Sequence, residues 1–325
     1  MTDLKSITVL VPGRLHPHAR ARIGNEFEIV EIERADPALI TADLAGRVRG
    51  VASMTVISKD FIDALPKLEV IANFGVGYDA VDSRHAAAKG IMVTNTPDVL
   101  TDEVADTAIG LLINTLKELA KAEAWLRAGR WAKEGDYRLT PGTLRSRKVG
   151  IFGMGRIGQA IARRIEGFGL PVSYHNRRPV EGVDYAYYGS LVELAAAVDT
   201  LISVAPGGAS TEKAVNAEVL RALGPDGVFV NIGRGSTVDQ EALAVALRDR
   251  TIMAAGLDVF ANEPNVPQTL LDLDNATLLP HVGSATVHTR QAMADLVVDN
   301  IASWFAKGAA ITPVPETQAV KPKAR

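Results

Sequence analysis

The sequence predicts an α/β protein made of two doubly wound parallel-sheet lobes with a cleft between them. Short β-branched runs bounded by Gly or Pro alternate with helical stretches along the chain, and the alternation falls into two series separated by a long amphipathic segment. The length, 325 residues, leaves room for two cores at roughly 100–200 residues per domain.

The first series holds ITVLVP (7–12), EIVEI (28–32), LEVIANF (68–74) and IMVTN (91–95). The second holds KVGIFG (148–153), PVSYHN (171–176), TLISVAP (200–206), GVFVNIG (227–233), IMAAGLDV (252–259) and ATLLPHV (276–282). Near-continuous apolar runs are what parallel strands covered on both faces require. Between the series, residues 101–131 read as one long helix that opens with Thr101 and acidic residues, the chemistry of a capped start. An amphipathic helix over 284–308 returns the chain to the first lobe, so residues 1–100 plus 285–325 form one lobe and 101–284 the other. Beyond it, residues 309–325 show no periodic apolar face, and the last of them are expected to be mobile.

Composition excludes several functions. Lys+Arg 35 against Asp+Glu 38 gives a formal charge of −3, so there is no global positive field to gather nucleic acid or anionic lipid. No apolar stretch reaches the ~18 residues that cross a bilayer, so no membrane partner is expected. With Cys 0, disulfides, thiolate zinc sites and thiol nucleophiles are ruled out. The opening MTDLKSITVLVPG lacks the pattern of a signal or transit peptide, so a cytoplasmic location is expected. His16-Pro17-His18 has the spacing of metal ligands but no third ligand in view; it is read as a solvated loop, and no metal site is predicted.

Gly153-Met154-Gly155-Arg156-Ile157-Gly158 follows an apolar strand and opens a helix, the context in which a glycine pattern becomes a dinucleotide cradle. The first glycine serves the tight turn, the second the approach of backbone amides to a pyrophosphate, and the third the packing of helix on strand. The next strand ends in Asn176-Arg177-Arg178, where an NAD-preferring site carries Asp or Glu for the ribose hydroxyls. Asn176 removes a charge that would repel a 2′-phosphate, and Arg177 and Arg178 supply donors to it. NADPH is therefore predicted over NADH, which is expected to bind more weakly.

Three further fragments end predicted strands, where ligands bind in an open parallel sheet: NIGRGS with Arg234, GLDVFANEP with Asp258 and Glu263, and PHVGS with His281. Arginine, carboxylate and histidine together suit reduction of a 2-oxo acid beside a nicotinamide. Arg234 would hold the substrate carboxylate and carbonyl, His281 would protonate the nascent alkoxide, and Glu263 would favour the protonated imidazole. The alternative Tyr-x-x-x-Lys chemistry is excluded, because none of the Tyr 6 has Lys four residues on.

With GVGYD (75–79), TDEVAD (101–106), GMGRIG, NIGRGS, GLDVFANEP and HVGSAT in this order, the chain resembles the D-2-hydroxyacid dehydrogenases, and within them the glyoxylate/hydroxypyruvate reductase group. The resemblance implies a flavodoxin-like substrate-binding lobe and a Rossmann dinucleotide-binding lobe, catalysis by Arg234, Glu263 and His281, and substrate carboxylate held on the backbone of Val76 and Gly77. It further implies cofactor contacts at Thr107, Gly155, Arg156, Ile157, Ala205, Pro206, Thr211, Ile232, Asp258, Gly283 and Ser284. It also implies a homodimer, packed through the long helix and the arm at 132–147. Trp125 and Trp131 suit either that interface or the core. Two other functions share these features: reduction of a bulkier 2-oxo acid such as hydroxyphenylpyruvate, and a dinucleotide-sensing, corepressor-like binding protein. Substrate size is not legible at Ser53 and Met54, which are candidates for the pocket.

Overall fold

A computed structural model describes residues 3–322. Thr101–Ala285 forms one compact unit, and the described residues on either side of it form the other.

The first unit contains a five-stranded parallel sheet: β1 (Thr8–Pro12), β2 (Glu28–Ile32), β3 (Val48–Ser53), β4 (Val70–Asn73) and β5 (Met92–Thr94), in the order β2-β1-β3-β4-β5. This is the flavodoxin-like doubly wound order. β1 and β4 are buried along their whole length, whereas β2, on the edge, is partly exposed. Leu10, Val51, Phe61, Ile71 and Val93 are fully buried in the core beneath it.

The second unit contains a seven-stranded parallel sheet: β6 (Val149–Phe152), β7 (Val172–His175), β8 (Ala186–Tyr188), β9 (Thr200–Ser203), β10 (Val228–Asn231), β11 (Ala254–Leu257) and β12 (Ala276–Leu278), ordered β12-β11-β10-β9-β6-β7-β8. Counted from β6 this is the Rossmann order 3-2-1-4-5-6 with one strand added, and the order reverses between β6 and β9. The helix Thr101–Lys117 packs on β10 and β11 and buries Val104, Ala108, Leu111 and Leu112. Gly256 in β11 makes that approach possible, since a Cβ there would stand 2.6 Å from Thr115 Oγ1.

Several expectations need correction. β3 pairs with both β1 and β4 in the middle of its sheet, although the sequence reading passed over it. β8 was missed as well; its three residues form an edge and leave Ala186 exposed. The long helix predicted over 101–131 is three helices, Thr101–Lys117, Leu119–Arg127 and Arg130–Glu134, broken where Glu118 and Gly129 adopt left-handed backbones. Trp131 is 59% exposed, so it does not serve this chain's core. The helix expected over 284–308 spans Val287–Lys307, capped by Thr286. His16 and His18 are not simply solvated: His16 stacks on Phe74, and His18 Nε2 lies 2.7 Å from Asp295 Oδ1. The chain's last three residues, expected to be mobile, lie outside the described residues, but the segment before them is structured. Thr94 bridges Pro313, and Pro315–Thr317 forms a 3₁₀ turn.

Candidate functional site

At the end of β6 the chain turns through Gly153 at φ +104°, and a Cβ there would stand 2.8 Å from the backbone nitrogen of Ala205. Gly158 is pressed against the same turn, where a Cβ would meet the Gly153 carbonyl oxygen at 2.2 Å. Gly155 differs: its Cβ would find nothing within 4 Å. It is the N-cap of the helix Arg156–Gly167, and no side chain caps that helix. Tight glycines below and open space above the positive end of a helix fit the pyrophosphate of a dinucleotide. Arg156 is exposed and Ile157 half-buried on the first turn.

Asn176 is tied into this cradle, since its side-chain oxygen accepts from the Met154 N–H at 2.7 Å. Arg177 and Arg178 follow, both exposed, and neither forms an ion pair among the described residues. After β9, Ala205 is buried and Pro206 exposed. Thr211 donates its hydroxyl to the Pro206 carbonyl at 2.6 Å and so fixes the bend of that loop.

Arg234 lies on the loop after β10. Asn231 shapes that loop from within: its side-chain oxygen accepts from the Gly233 N–H at 3.0 Å, and its side-chain nitrogen donates to the Arg234 carbonyl at 2.9 Å. Ile232 is buried beside it. Glycine is required on both sides of the arginine: a Cβ on Gly233 would stand 2.7 Å from the Ala205 carbonyl oxygen, and one on Gly235 would stand 1.9 Å from Phe260 C.

Glu263 binds in two directions. Its Oε1 accepts from the Phe260 N–H at 2.9 Å, and its Oε2 lies 2.7 Å from His281 Nδ1. Burial pushes the Glu263 carboxyl up, but the His281 and Phe260 hydrogen bonds, with the charges of His281 and Arg234, outweigh it and hold the group below the ordinary carboxylate value. The three side chains are thus electrostatically coupled, and His281 keeps its side chain 47% exposed.

His281 has a left-handed backbone at φ +52°, a conformation costing a non-glycine residue about 1–2 kcal/mol. Asp258 holds it there. The Asp258 carbonyl accepts from the His281 N–H at 2.8 Å, and its two carboxylate oxygens accept from Val282 N–H at 2.7 Å and Gly283 N–H at 2.8 Å. Burial raises the Asp258 carboxyl above its ordinary value, and the two amides counter that in part. Thr107, on the helix Thr101–Lys117, donates to the Gly283 carbonyl at 3.1 Å and shares that hydrogen with Glu103 O. Ser284 is buried next to Gly283. Asp258 and Thr107, read from sequence as cofactor contacts, therefore also build the loop that carries His281.

In the first unit, Gly75, Val76 and Gly77 follow β4. Asn73 Nδ2 donates to the carbonyls of Gly75 at 3.1 Å and Gly77 at 3.0 Å, and Asn95 Nδ2 donates to that of Val76 at 2.8 Å. With the carbonyls engaged, the Val76 and Gly77 N–H groups are the donors this loop can offer an anion. Asn73, Asn95 and Asn231 are not among the residues expected from sequence to build the site. Their signal was a polar residue closing an otherwise apolar strand.

Parallel sheets of both orders, a glycine cradle at the reversal point and a His–Glu pair beside an arginine define a dinucleotide-dependent dehydrogenase of the 2-hydroxyacid type. A family model for the NAD-binding domain of D-isomer-specific 2-hydroxyacid dehydrogenases matches residues 109–283, and the chain belongs to that family. It is 47% identical over 314 residues to glyoxylate/hydroxypyruvate reductase A of Arabidopsis thaliana, covering 96% of this chain and 100% of that one. It is 49% identical over 255 residues to hydroxyphenylpyruvate reductase of Plectranthus scutellarioides, 78% of this chain and 81% of that one. Among solved structures, the NADPH-dependent glyoxylate/hydroxypyruvate reductase of Sinorhizobium meliloti, crystallised with NADP and malonate, is 58% identical at a TM-score of 0.96, covering 98% of this chain and 100% of that one. Among the described residues no helix is long and apolar enough to cross a membrane.

Proposed function

We propose that this chain reduces small 2-oxo acids, glyoxylate and hydroxypyruvate foremost, to 2-hydroxy acids with NADPH as reductant. The observation that carries the reading is the 2.7 Å hydrogen bond between His281 Nδ1 and Glu263 Oε2, with the charge of Arg234 acting on the same carboxylate.

When bound, the reduced nicotinamide supplies the hydride to the keto carbon. Arg234 binds the substrate's carboxylate and carbonyl oxygens and stabilises the negative charge that develops there. His281 gives its Nε2 proton to the former carbonyl oxygen, and the resulting neutral imidazole keeps the Nδ1 proton hydrogen-bonded to Glu263. The Val76 and Gly77 amides hold the carboxylate. The glycine cradle, with Thr107, Ala205, Pro206, Thr211, Ile232, Asp258, Gly283 and Ser284, holds the dinucleotide, and Asn176, Arg177 and Arg178 select its 2′-phosphate.

Coverage favours the small substrates. The glyoxylate/hydroxypyruvate relatives align with 96% and 98% of this chain, against 78% for the hydroxyphenylpyruvate reductase. Glyoxylate, hydroxypyruvate, pyruvate and phenylpyruvate should be assayed with NADPH and with NADH. The reading expects the highest kcat/KM with the first two acids and NADPH. Best turnover of phenylpyruvate would favour the aromatic alternative, and cofactor binding without turnover of any acid would favour a sensing protein.

The same reading makes the protein a cytoplasmic homodimer. Support comes from apolar side chains on the segment after the helix Thr101–Lys117, where Leu126 is 54%, Trp131 59% and Leu139 95% exposed. Light scattering on the eluting peak should give twice the chain mass; a monomer would contradict the dimer.

A further inference from the structure

We propose that Thr312 and Asn300 are positioning residues for the substrate-binding loop, acting through Asn95. The inference rests on the reading of the Val76 and Gly77 amides as carboxylate donors. Asn300 lies on the helix Val287–Lys307 with none of its surface exposed. Its side chain ties the helix to the chain that follows: Oδ1 accepts from the N–H groups of Ile311 and Thr312, each at 2.9 Å, while Nδ2 donates to Thr312 Oγ1 and to the Leu296 carbonyl, each at 2.8 Å. Thr312 Oγ1, fixed as acceptor by Asn300, donates its own hydrogen to the Asn95 carbonyl at 2.6 Å. The Asn95 N–H returns a longer bond to the Thr312 carbonyl at 3.3 Å, and the Asn95 side chain donates to the Val76 carbonyl at 2.8 Å.

The result is one continuous path from a buried helix to the Val76–Gly77 peptide, which presents the Gly77 N–H. A hydroxyl that both accepts and donates polarises its neighbours, which strengthens each bond in the path. A second tie runs in parallel: Tyr78, next to Gly77, donates to Glu316 Oε2 at 3.1 Å. Thr312 and Glu316, which follow the last helix, thus brace the loop. Orienting a peptide plane matters here because a backbone donor has no rotamer with which to recover its aim.

The test is Thr312→Val, which keeps the side chain's shape and removes both hydroxyl bonds, with Thr312→Ser as the rescue. Two quantities are read: hydrogen exchange, without any ligand, of the Asn95 and Thr96 amides, which are bonded to the Thr312 and Gly75 carbonyls, and the KM and kcat for glyoxylate with NADPH. The proposal expects faster exchange at these amides in the valine variant, a KM raised about three- to tenfold with kcat within twofold and NADPH affinity unchanged, and recovery with serine. Unchanged exchange would overturn the brace. Faster exchange with an unaltered KM would leave the brace standing but overturn the assignment of the loop to substrate binding. A rise in KM matched by equal loss of NADPH affinity, or absent recovery with serine, would mark general destabilisation and overturn the positioning role.

Discussion

The carboxylate of Glu263 reaches His281 through one oxygen at 2.7 Å and the backbone of Phe260 through the other at 2.9 Å. Neither oxygen is left to solvent alone, so the carboxylate cannot rotate away from the imidazole without giving up a backbone bond. The pair therefore fixes which ring nitrogen faces Glu263 and leaves Nε2, the proposed proton donor, outside that bond.

Glu263→Gln tests that coupling. The Glu263 carboxyl is held below its ordinary value by its hydrogen bonds and neighbouring charges, so it stays ionised across the neutral range as a fixed acceptor facing His281 Nδ1. An amide in its place can turn its NH2 toward the ring and lose that acceptor, so kcat for glyoxylate should fall about tenfold or more with NADPH affinity unchanged. A kcat within twofold of wild type would mean Glu263 does not act on His281.

The cradle glycines make opposite predictions. Gly158→Ala pushes a methyl to 2.2 Å from the Gly153 carbonyl oxygen, a clash with backbone that should cost about 1–3 kcal/mol or more and lower Tm. Gly155→Ala meets nothing within 4 Å, so Tm should hold while NADPH binding weakens about tenfold or more. Calorimetry gives both values, and a Gly155→Ala protein binding NADPH as tightly as wild type would remove the cradle assignment.

Arg177 and Arg178 are exposed. Replacing both with Ala should raise the KM for NADPH about 10- to 100-fold, since at exposed positions the two charge-assisted bonds together contribute about 1.5–3 kcal/mol. The KM for NADH should change less than about twofold. Equal losses with both cofactors would assign the arginines to something other than the 2′-phosphate.

Asp63 provides a pH test of stability away from the site. Bonds from Lys89 and His85 pull its carboxyl down from 3.8 to about 2 in the folded protein. A depressed carboxyl stabilises the fold above its unfolded value and loses that contribution as pH falls toward the folded one. Asp63→Asn should thus lower Tm at pH 5 and converge with wild type near pH 2; parallel curves would contradict the linkage.

What the sequence revealed follows the locality of each constraint. The cradle stood out because its constraints are largely local: Gly153 turns the chain at φ +104°, and Gly158 packs on that turn. Arg234, Glu263 and His281 stood out in the sequence because each lies in the loop that follows an apolar strand, β10, β11 and β12 in turn. β3 was obscured by Arg49 and Gly50, whose reasons are tertiary: Arg49 pairs with Glu69 at 2.6 Å, and a Cβ on Gly50 would press Val9 at 3.3 Å. The helix break at Glu118 carries no local signal, since nothing in the sequence marks a glutamate for φ +51°. Asn95 and Asn300 act on partners distant in sequence, so their roles emerge only from the folded chain.

The most direct measurement is the kcat of His281→Gln for glyoxylate reduction by NADPH. The account predicts a fall of about 10²- to 10⁴-fold, with KM and NADPH affinity within a few-fold of wild type, because the missing proton is needed only in the transition state. A kcat within tenfold of wild type would contradict the assignment of His281 as the proton donor.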